Sequence, residues 1–172
     1  MLLDEPTNDL DVDTLRSLEV SLKHKGFELT YEAPADPIPQ LNIDPDAVAQ
    51  AVANLIDNAV KYSNGARAIK VRLEQSPEEM VISVQDYGVG ISKDEQEKIF
   101  ERFHRVCTGL VHDVKGSGLG LSIVSHIINA HSGKVHVESE LGKGSTFSIH
   151  LPLAKTAVLE SARLTAAPVD SV

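Results

Sequence analysis

Two pairs of alternating apolar and polar runs, each pair closed by a short turn sequence, constrain this chain more than any other feature. Residues 68–73 and 80–84 alternate on either side of Gln75-Ser76-Pro77-Glu78, and Val135-His136-Val137 and residues 146–151 flank Gly142-Lys143-Gly144. A period of two sends successive side chains to opposite faces of a strand, so each pair predicts a β-hairpin with one apolar face. Runs with helical spacing lie between them. Leu15, Leu18 and Leu22 lead to a stop at Gly26 and are followed by an alternating stretch, Phe27 to Tyr31. Pro34, Pro37 and Pro39 then predict a stiff connector. Val48, Val52, Leu55 and Ala59 form a second stripe, with Asp44 placed to cap it, Pro45 in its first turn and an end near Ser63-Asn64-Gly65. Ser92 with Glu95 predicts a capping box opening a short helix through Phe103. Leu119, Ile123, Ile127 and Ala130 mark a last helix, closed by Gly133. Hairpins interspersed with helices predict an α+β fold, with helices layered on one face of a sheet.

Composition sets limits on function. With 172 residues, 42% hydrophobic and 24% charged, the chain can bury a sizeable core and is not of disordered type. No apolar run approaches the roughly 20 residues that span a bilayer, and the first residues lack a basic region, so neither a transmembrane helix nor a signal peptide is expected. Cys107 is the single cysteine, which excludes an intrachain disulfide and a thiolate zinc site. A net charge of -9 opposes general nucleic-acid binding. That charge is uneven: residues 1–36 hold nine acids and three bases, whereas residues 98–120 hold four bases and two acids.

Three elements carry chemistry. Asn54, Asn58, Lys61 and Tyr62 fall at i, i+4, i+7 and i+8 of the second helix, within an arc of about 100° beside the apolar stripe. The bland reading is a solvated face. Two mid-helix Asn in five residues nevertheless run against Asn's preference for caps and turns. Amide oxygens, a cation and an aromatic on one face suit Mg²⁺, phosphate and a base. The second element, Asp86-Tyr87-Gly88-Val89-Gly90, ends a strand with a carboxylate and two glycines that permit close approach. The third, Gly116-Ser117-Gly118-Leu119-Gly120-Leu121, opens a helix, where backbone N–H groups favour an anion. Its spacing is not that of a dinucleotide fold, and no P-loop motif occurs.

In this order the elements resemble the ATP-binding catalytic domain of bacterial sensor histidine kinases, within the gyrase–heat-shock–histidine-kinase (GHKL) superfamily. Residues 54–63 resemble its N-box, residues 86–90 its first glycine box, Ile99-Phe100-Glu101-Arg102-Phe103 its F-box, residues 116–121 its second glycine box and residues 142–147 its closing hairpin. The resemblance, running from about residue 14 to 153, implies a two-layer α/β sandwich of the Bergerat type. A mixed sheet would pack against three helices, with a mobile ATP lid over residues 91–119. It implies that Asn58 binds Mg²⁺, with Asn54 beside metal and phosphates, Lys61 on a phosphate and Tyr62 near the adenine. Asp86 would accept from the adenine amino group, Gly88, Gly90 and Ile91 would shape the base pocket, and Thr146 would support the adenine side. Gly116, Gly118, Leu119, Gly120 and Leu121 would cradle phosphate, with Arg102, Arg105 and Lys115 as lid cations. The implied activity is γ-phosphoryl transfer from Mg-ATP to a histidine on a partner dimerisation domain, and through it to a response regulator. Asn54 stands where hydrolytic members carry a Glu base, and Asn takes no proton at neutral pH, which implies slow hydrolysis.

The resemblance further implies a cytoplasmic chain, monomeric in isolation, without nucleic-acid or direct membrane contact. Alternatives are a non-catalytic nucleotide-binding module and an anti-sigma-type serine kinase of the same fold. His112-Asp113 reads as part of the lid, not as an acceptor, Cys107 as an incidental lid residue, and His126 and His131 do not share a helix face. Residues 1–11 resemble the Walker B and D-loop of ABC-type ATPases without the remaining ABC motifs, so residues 1–13 are expected to be an appended segment and residues 154–172 a tail.

Overall fold

The structure, a computed structural model, describes residues 19–35, 41–104 and 118–153. Five strands form one mixed sheet: β1 (Glu28–Glu32), β2 (Ala68–Gln75), β3 (Glu79–Asp86), β4 (Lys134–Glu140) and β5 (Gly144–Pro152), in the order β1-β2-β3-β5-β4. β1 pairs parallel to β2, and every other pairing is antiparallel. Both predicted hairpins form. At the β2–β3 turn, the Ser76 hydroxyl accepts from the N–H groups of Glu78 and Glu79 at 3.3 and 3.1 Å, so Pro77 sits where no backbone donor is needed. The sequence-predicted strand at 27–31 lies one residue further on, because Phe27 N is still donating to Leu22 O, closing the turn after helical residues 19–24.

The longest helix among the described residues, α1 (Pro45–Lys61), starts as predicted: the Asp44 carboxylate accepts from Ala47 N at 3.1 Å, with Pro45 in the first turn. It buries Val48, Ala51, Val52, Leu55, Ile56 and Ala59. Full burial of each larger aliphatic side chain contributes about 1.5–3 kcal/mol. The facing surface of the sheet is Ile69 and Val71 of β2, Ile82 and Val84 of β3, and Phe147, Ile149 and Leu151 of β5. Their register places Val71, Val84 and Phe147 side by side. The other face of the sheet is polar, with Glu32 pairing Lys70 and Arg72 and Ser83 bonded to Ser148. One apolar sheet face under helices is the α+β sandwich that the hairpin pattern implied.

Two details differ from expectation. The Ser92 capping box does not form. Ser92 makes no side-chain cap bond, and the Glu95 carboxylate is engaged by His104 at 2.6 Å and Lys98 at 3.5 Å instead. The expected single helix is split into α2 (Lys93–Gln96) and a 3₁₀ turn, Lys98–Phe100. In α3 (Gly120–Ala130) the buried residues are Val124 and Ile128, one position beyond the predicted Ile123 and Ile127. Packing of α3 against α1 takes that stripe and leaves Ile123 39% exposed at a cleft. Among the described residues, no helix is long and apolar enough to cross a membrane. The appended segment, the tail, Pro37, Pro39, Cys107 and His112 lie outside the described residues.

Candidate functional site

A cleft of about 290 Å³ opens between the last turns of α1 and the start of α3. Asn54, Asp57, Asn58, Lys61 and Tyr62 line it from α1, Gly118, Leu119, Gly120, Leu121 and Ile123 from the other side, and Ile99 and His104 close one end. The helical repeat brings the α1 residues together, since a separation of four residues returns to the same face. The buried stripe beside them fixes which way that face looks.

Lys61 is ion-paired with Asp57 one turn earlier, so cation and carboxylate share one wall. Opposite them, a Cβ built on Gly120 would stand 3.9 Å from Asn58 Oδ1, an ordinary contact distance, so the backbone of α3 approaches this carboxamide without a side chain between. At the cleft's end, Gly118 adopts φ +71° and its carbonyl accepts from Phe103 N at 3.1 Å. A Cβ there would come within 3.0 Å of the Phe103 backbone, so position 118 has to be glycine for the chain to close against residues 103–104. The hydrogen bond from His104 is the main cause holding the Glu95 carboxyl below its ordinary range.

Asp86 ends β3 with 7% exposure and accepts from Gly88 N at 2.8 Å. Burial pushes its carboxyl up, opposed by the N–H groups of Gly88 and Ser145. It does not line the α1–α3 cleft but a second, more open recess of about 310 Å³, with Gln85, Glu138, Lys143 and Thr146. The two recesses are joined by backbone. Val89 N donates to Tyr62 O at 3.1 Å, tying the end of α1 to the loop after β3. Gly90 adopts φ +69°, and Gly142 N donates to Val89 O at 2.8 Å.

The residues expected at the site therefore divide. Asn54, Asn58, Lys61, Tyr62, Gly118, Leu119, Gly120 and Leu121 share one cleft. Gly88 and Gly90 hold the loop beside Asp86, and Ile91 packs partly buried against the core. Arg102 is exposed and is not among the cleft residues. Arg105, Lys115 and Gly116 lie outside the described residues. Thr146 lines the recess that Asp86 borders. Its register opposite Gln85 places it on the polar side of the sheet, away from α1, because strand side chains alternate and its neighbour Phe147 faces the core. Ser145, 6% exposed, is the residue before Thr146, next along the β5 strand from the Gln85–Thr146 pair and so beside Asp86. Asp57, His104 and Ile123 were missed as cleft residues. Asp57 follows Asn54 by three and precedes Lys61 by four, a spacing that marks it for the same face.

Two carboxamides, a carboxylate and an ammonium around a roofless glycine backbone make a donor set of hard oxygens with a cation, which fits Mg²⁺ and a polyphosphate. Were a metal bound there, Asn54, Asp57 and Asn58 would be its oxygen donors, and Lys61 would be the cation for phosphate.

Over residues 43–155 the chain matches the family described as histidine kinase-, DNA gyrase B-, and HSP90-like ATPase. It is 38% identical over 150 residues to the sensor protein RprX of Bacteroides fragilis, a match covering 86% of this chain and 29% of that protein. Among solved structures it is similar to the mycobacterial sensor histidine kinase MprB, with TM-score 0.65 and 32% identity, covering 81% of this chain and 91% of that one. It is also similar to full-length ShkA solved in complex with AMPPNP, with TM-score 0.71 and 28% identity, covering 90% of this chain and 32% of that one. The likeness of residues 1–11 to ABC-type ATPases is not borne out: the family match begins at residue 43, and those residues lie outside the described ones.

Proposed function

The chain belongs to the histidine kinase-, DNA gyrase B- and HSP90-like ATPase family, and on that premise we propose that it is the Mg-ATP-binding catalytic part of a sensor histidine kinase. The observation that carries this reading is the meeting of Asn54, Asn58 and Lys61 with Gly118–Leu121 around one cleft. The chain spans 29% of the length of RprX, so the acceptor histidine, the dimerising partner domain and the downstream response regulator belong to the proposal. So do the domain limits 14–153, a cytoplasmic setting and a monomeric state for the isolated chain.

In this reading Asn58, with Asn54 and Asp57, would hold Mg²⁺, which would supply positive charge against the phosphates. Lys61 exchanges its contact with Asp57 for a phosphate, and the backbone N–H groups opening α3 receive the polyphosphate. Asp86, when ionised, accepts from the amino group of adenine and repels the carbonyl oxygen that guanine presents there. The P–O bond to ADP breaks as a P–N bond to the acceptor imidazole forms, and catalysis lies in position and charge neutralisation. Asn54 cannot remove a proton from water at neutral pH, which disfavours hydrolysis as the competing fate.

The test mixes the chain with Mg-ATP and a separately produced histidine-bearing dimerisation domain of a sensor kinase. Acid-labile, base-stable phosphate should appear on that domain, with slow ATP hydrolysis by the chain alone. Measurable ATP binding without transfer would favour a non-catalytic nucleotide-binding module, and acid-stable phosphate on a serine would favour the serine-kinase alternative.

A further inference from the structure

The turn between β4 and β5 meets the loop after β3 backbone to backbone. Gly142 N donates to Val89 O at 2.8 Å, a Cβ on Gly90 would lie 2.0 Å from Glu140 O, and a Cβ on Gly144 would lie 2.2 Å from Asp86 O. With no side chains between the segments, their spacing has to be set from one side, and Ser139 stands there. Its Oγ accepts from Ile91 N at 2.7 Å, donates to Gly144 O at 2.9 Å and lies 2.9 Å from Ser145 Oγ. One hydroxyl donor and two lone pairs satisfy all three when Ser145 donates to Ser139. The Ser139 carbonyl accepts from Gln96 Nε2 at 2.9 Å, and the same amide donates to Ile91 O at 3.1 Å. Gln96 is the last residue of α2, and Ile91 follows the loop whose Gly88 N donates to the Asp86 carboxylate at 2.8 Å. Hydrogen bonds thus link α2 through Ser139 to Ile91 and Gly144, at the two segments that flank Asp86.

We propose that Ser139, with Gln96, is a positioning residue that sets the Asp86 carboxylate for recognition of the nucleotide base and links that setting to α2. The proposal rests on the nucleotide reading above and names residues to which that reading gives no role. Ser139 acts through Ile91, Gly144 and Ser145.

Ser139→Ala, Ser139→Thr and Gln96→Ala test it. Without nucleotide, amide hydrogen exchange at Gly88 and Ile91 should rise about tenfold or more in Ser139→Ala and return near the original rate in Ser139→Thr. Unchanged exchange overturns the proposal. With ligands, Ser139→Ala should lose about tenfold in ATP affinity and narrow the preference for ATP over GTP, while inorganic triphosphate binds within about twofold of the unaltered chain. Equal losses for ATP and triphosphate would make Ser139 a general support and overturn the proposal. If Ser139→Ala does not fold, Gln96→Ala removes two donated bonds and carries the same comparison. Failure of the unaltered chain to bind ATP would overturn the nucleotide reading and base recognition with it, a result separate from the exchange outcome.

Discussion

The carbonyl oxygen of Tyr62 occupies the space that a side chain on Gly88 would need: a Cβ built there would come within 2.0 Å of it. Tyr62 closes the helix that carries the two asparagines and the lysine, and Gly88 follows the buried Asp86 by two residues. The contact therefore sets the distance between the helix carrying Asn54, Asn58 and Lys61 and the buried Asp86 carboxylate.

Gly88→Ala should accordingly lower stability by about 1–3 kcal/mol, as forced overpacking does, and weaken ATP binding by more than about tenfold. Urea unfolding and titration calorimetry check the two effects. Gly65→Ala is the control. Gly65 adopts φ +89° with nothing within 4 Å of a Cβ, so backbone strain of about 1–2 kcal/mol is expected without loss of ATP affinity.

Asp86 predicts a pH dependence of definite sign. Burial raises its carboxyl above the ordinary value, so the folded chain holds the proton more tightly than the unfolded chain does. Its contribution to stability is fully present below the unfolded value and is lost as pH rises through the folded one. In the proposed function base recognition needs the ionised form, so ATP affinity should decline on acidification before an ordinary Asp would protonate. Asp86→Asn should abolish ATP-over-GTP preference while leaving stability at neutral pH unchanged or higher. Binding of both nucleotides against pH, with thermal melts of the variant, checks this.

Asn58→Ala should remove most of the Mg²⁺ dependence of ATP binding, lowering affinity in Mg²⁺ by about tenfold with little change in chelator. Lys61→Ala should weaken ATP more than adenosine, since it removes the proposed phosphate partner and the ion pair with Asp57. Calorimetry with and without Mg²⁺ separates the two.

His131 joins the far ends of the helices. Its Nε2 accepts from Asp44 N at 3.0 Å while its Nδ1 lies 2.8 Å from Ile127 O, a pairing that requires the neutral ring protonated on Nδ1. His131→Ala should cost about 0.5–1.5 kcal/mol by urea unfolding and leave ATP affinity unchanged, because neither helix end lines the cleft.

Local sequence determined the parts whose causes are local. The alternation around Pro77 and around Lys143 specifies both hairpins, and Asp44-Pro45 specifies where α1 begins. The spacing of Asn54, Asn58 and Lys61 places them on one face in any helix. Tertiary structure decided the rest. Ser92 and Glu95 carry a capping-box pattern, yet His104, nine residues beyond Glu95, takes the carboxylate because the chain turns back at Phe103 and Gly118. The stripe of α3 shifted by one position because α1 chooses which side it covers. Thr146 and Ser145 are adjacent in sequence, but strand register pairs Thr146 with Gln85 on the polar side and leaves Ser145 buried, and register is a property of the paired strands together. The types of residue needed for the site are legible along the chain. Which neighbour of a pair faces it depends on contacts between segments distant in sequence, and only the packed structure contains those.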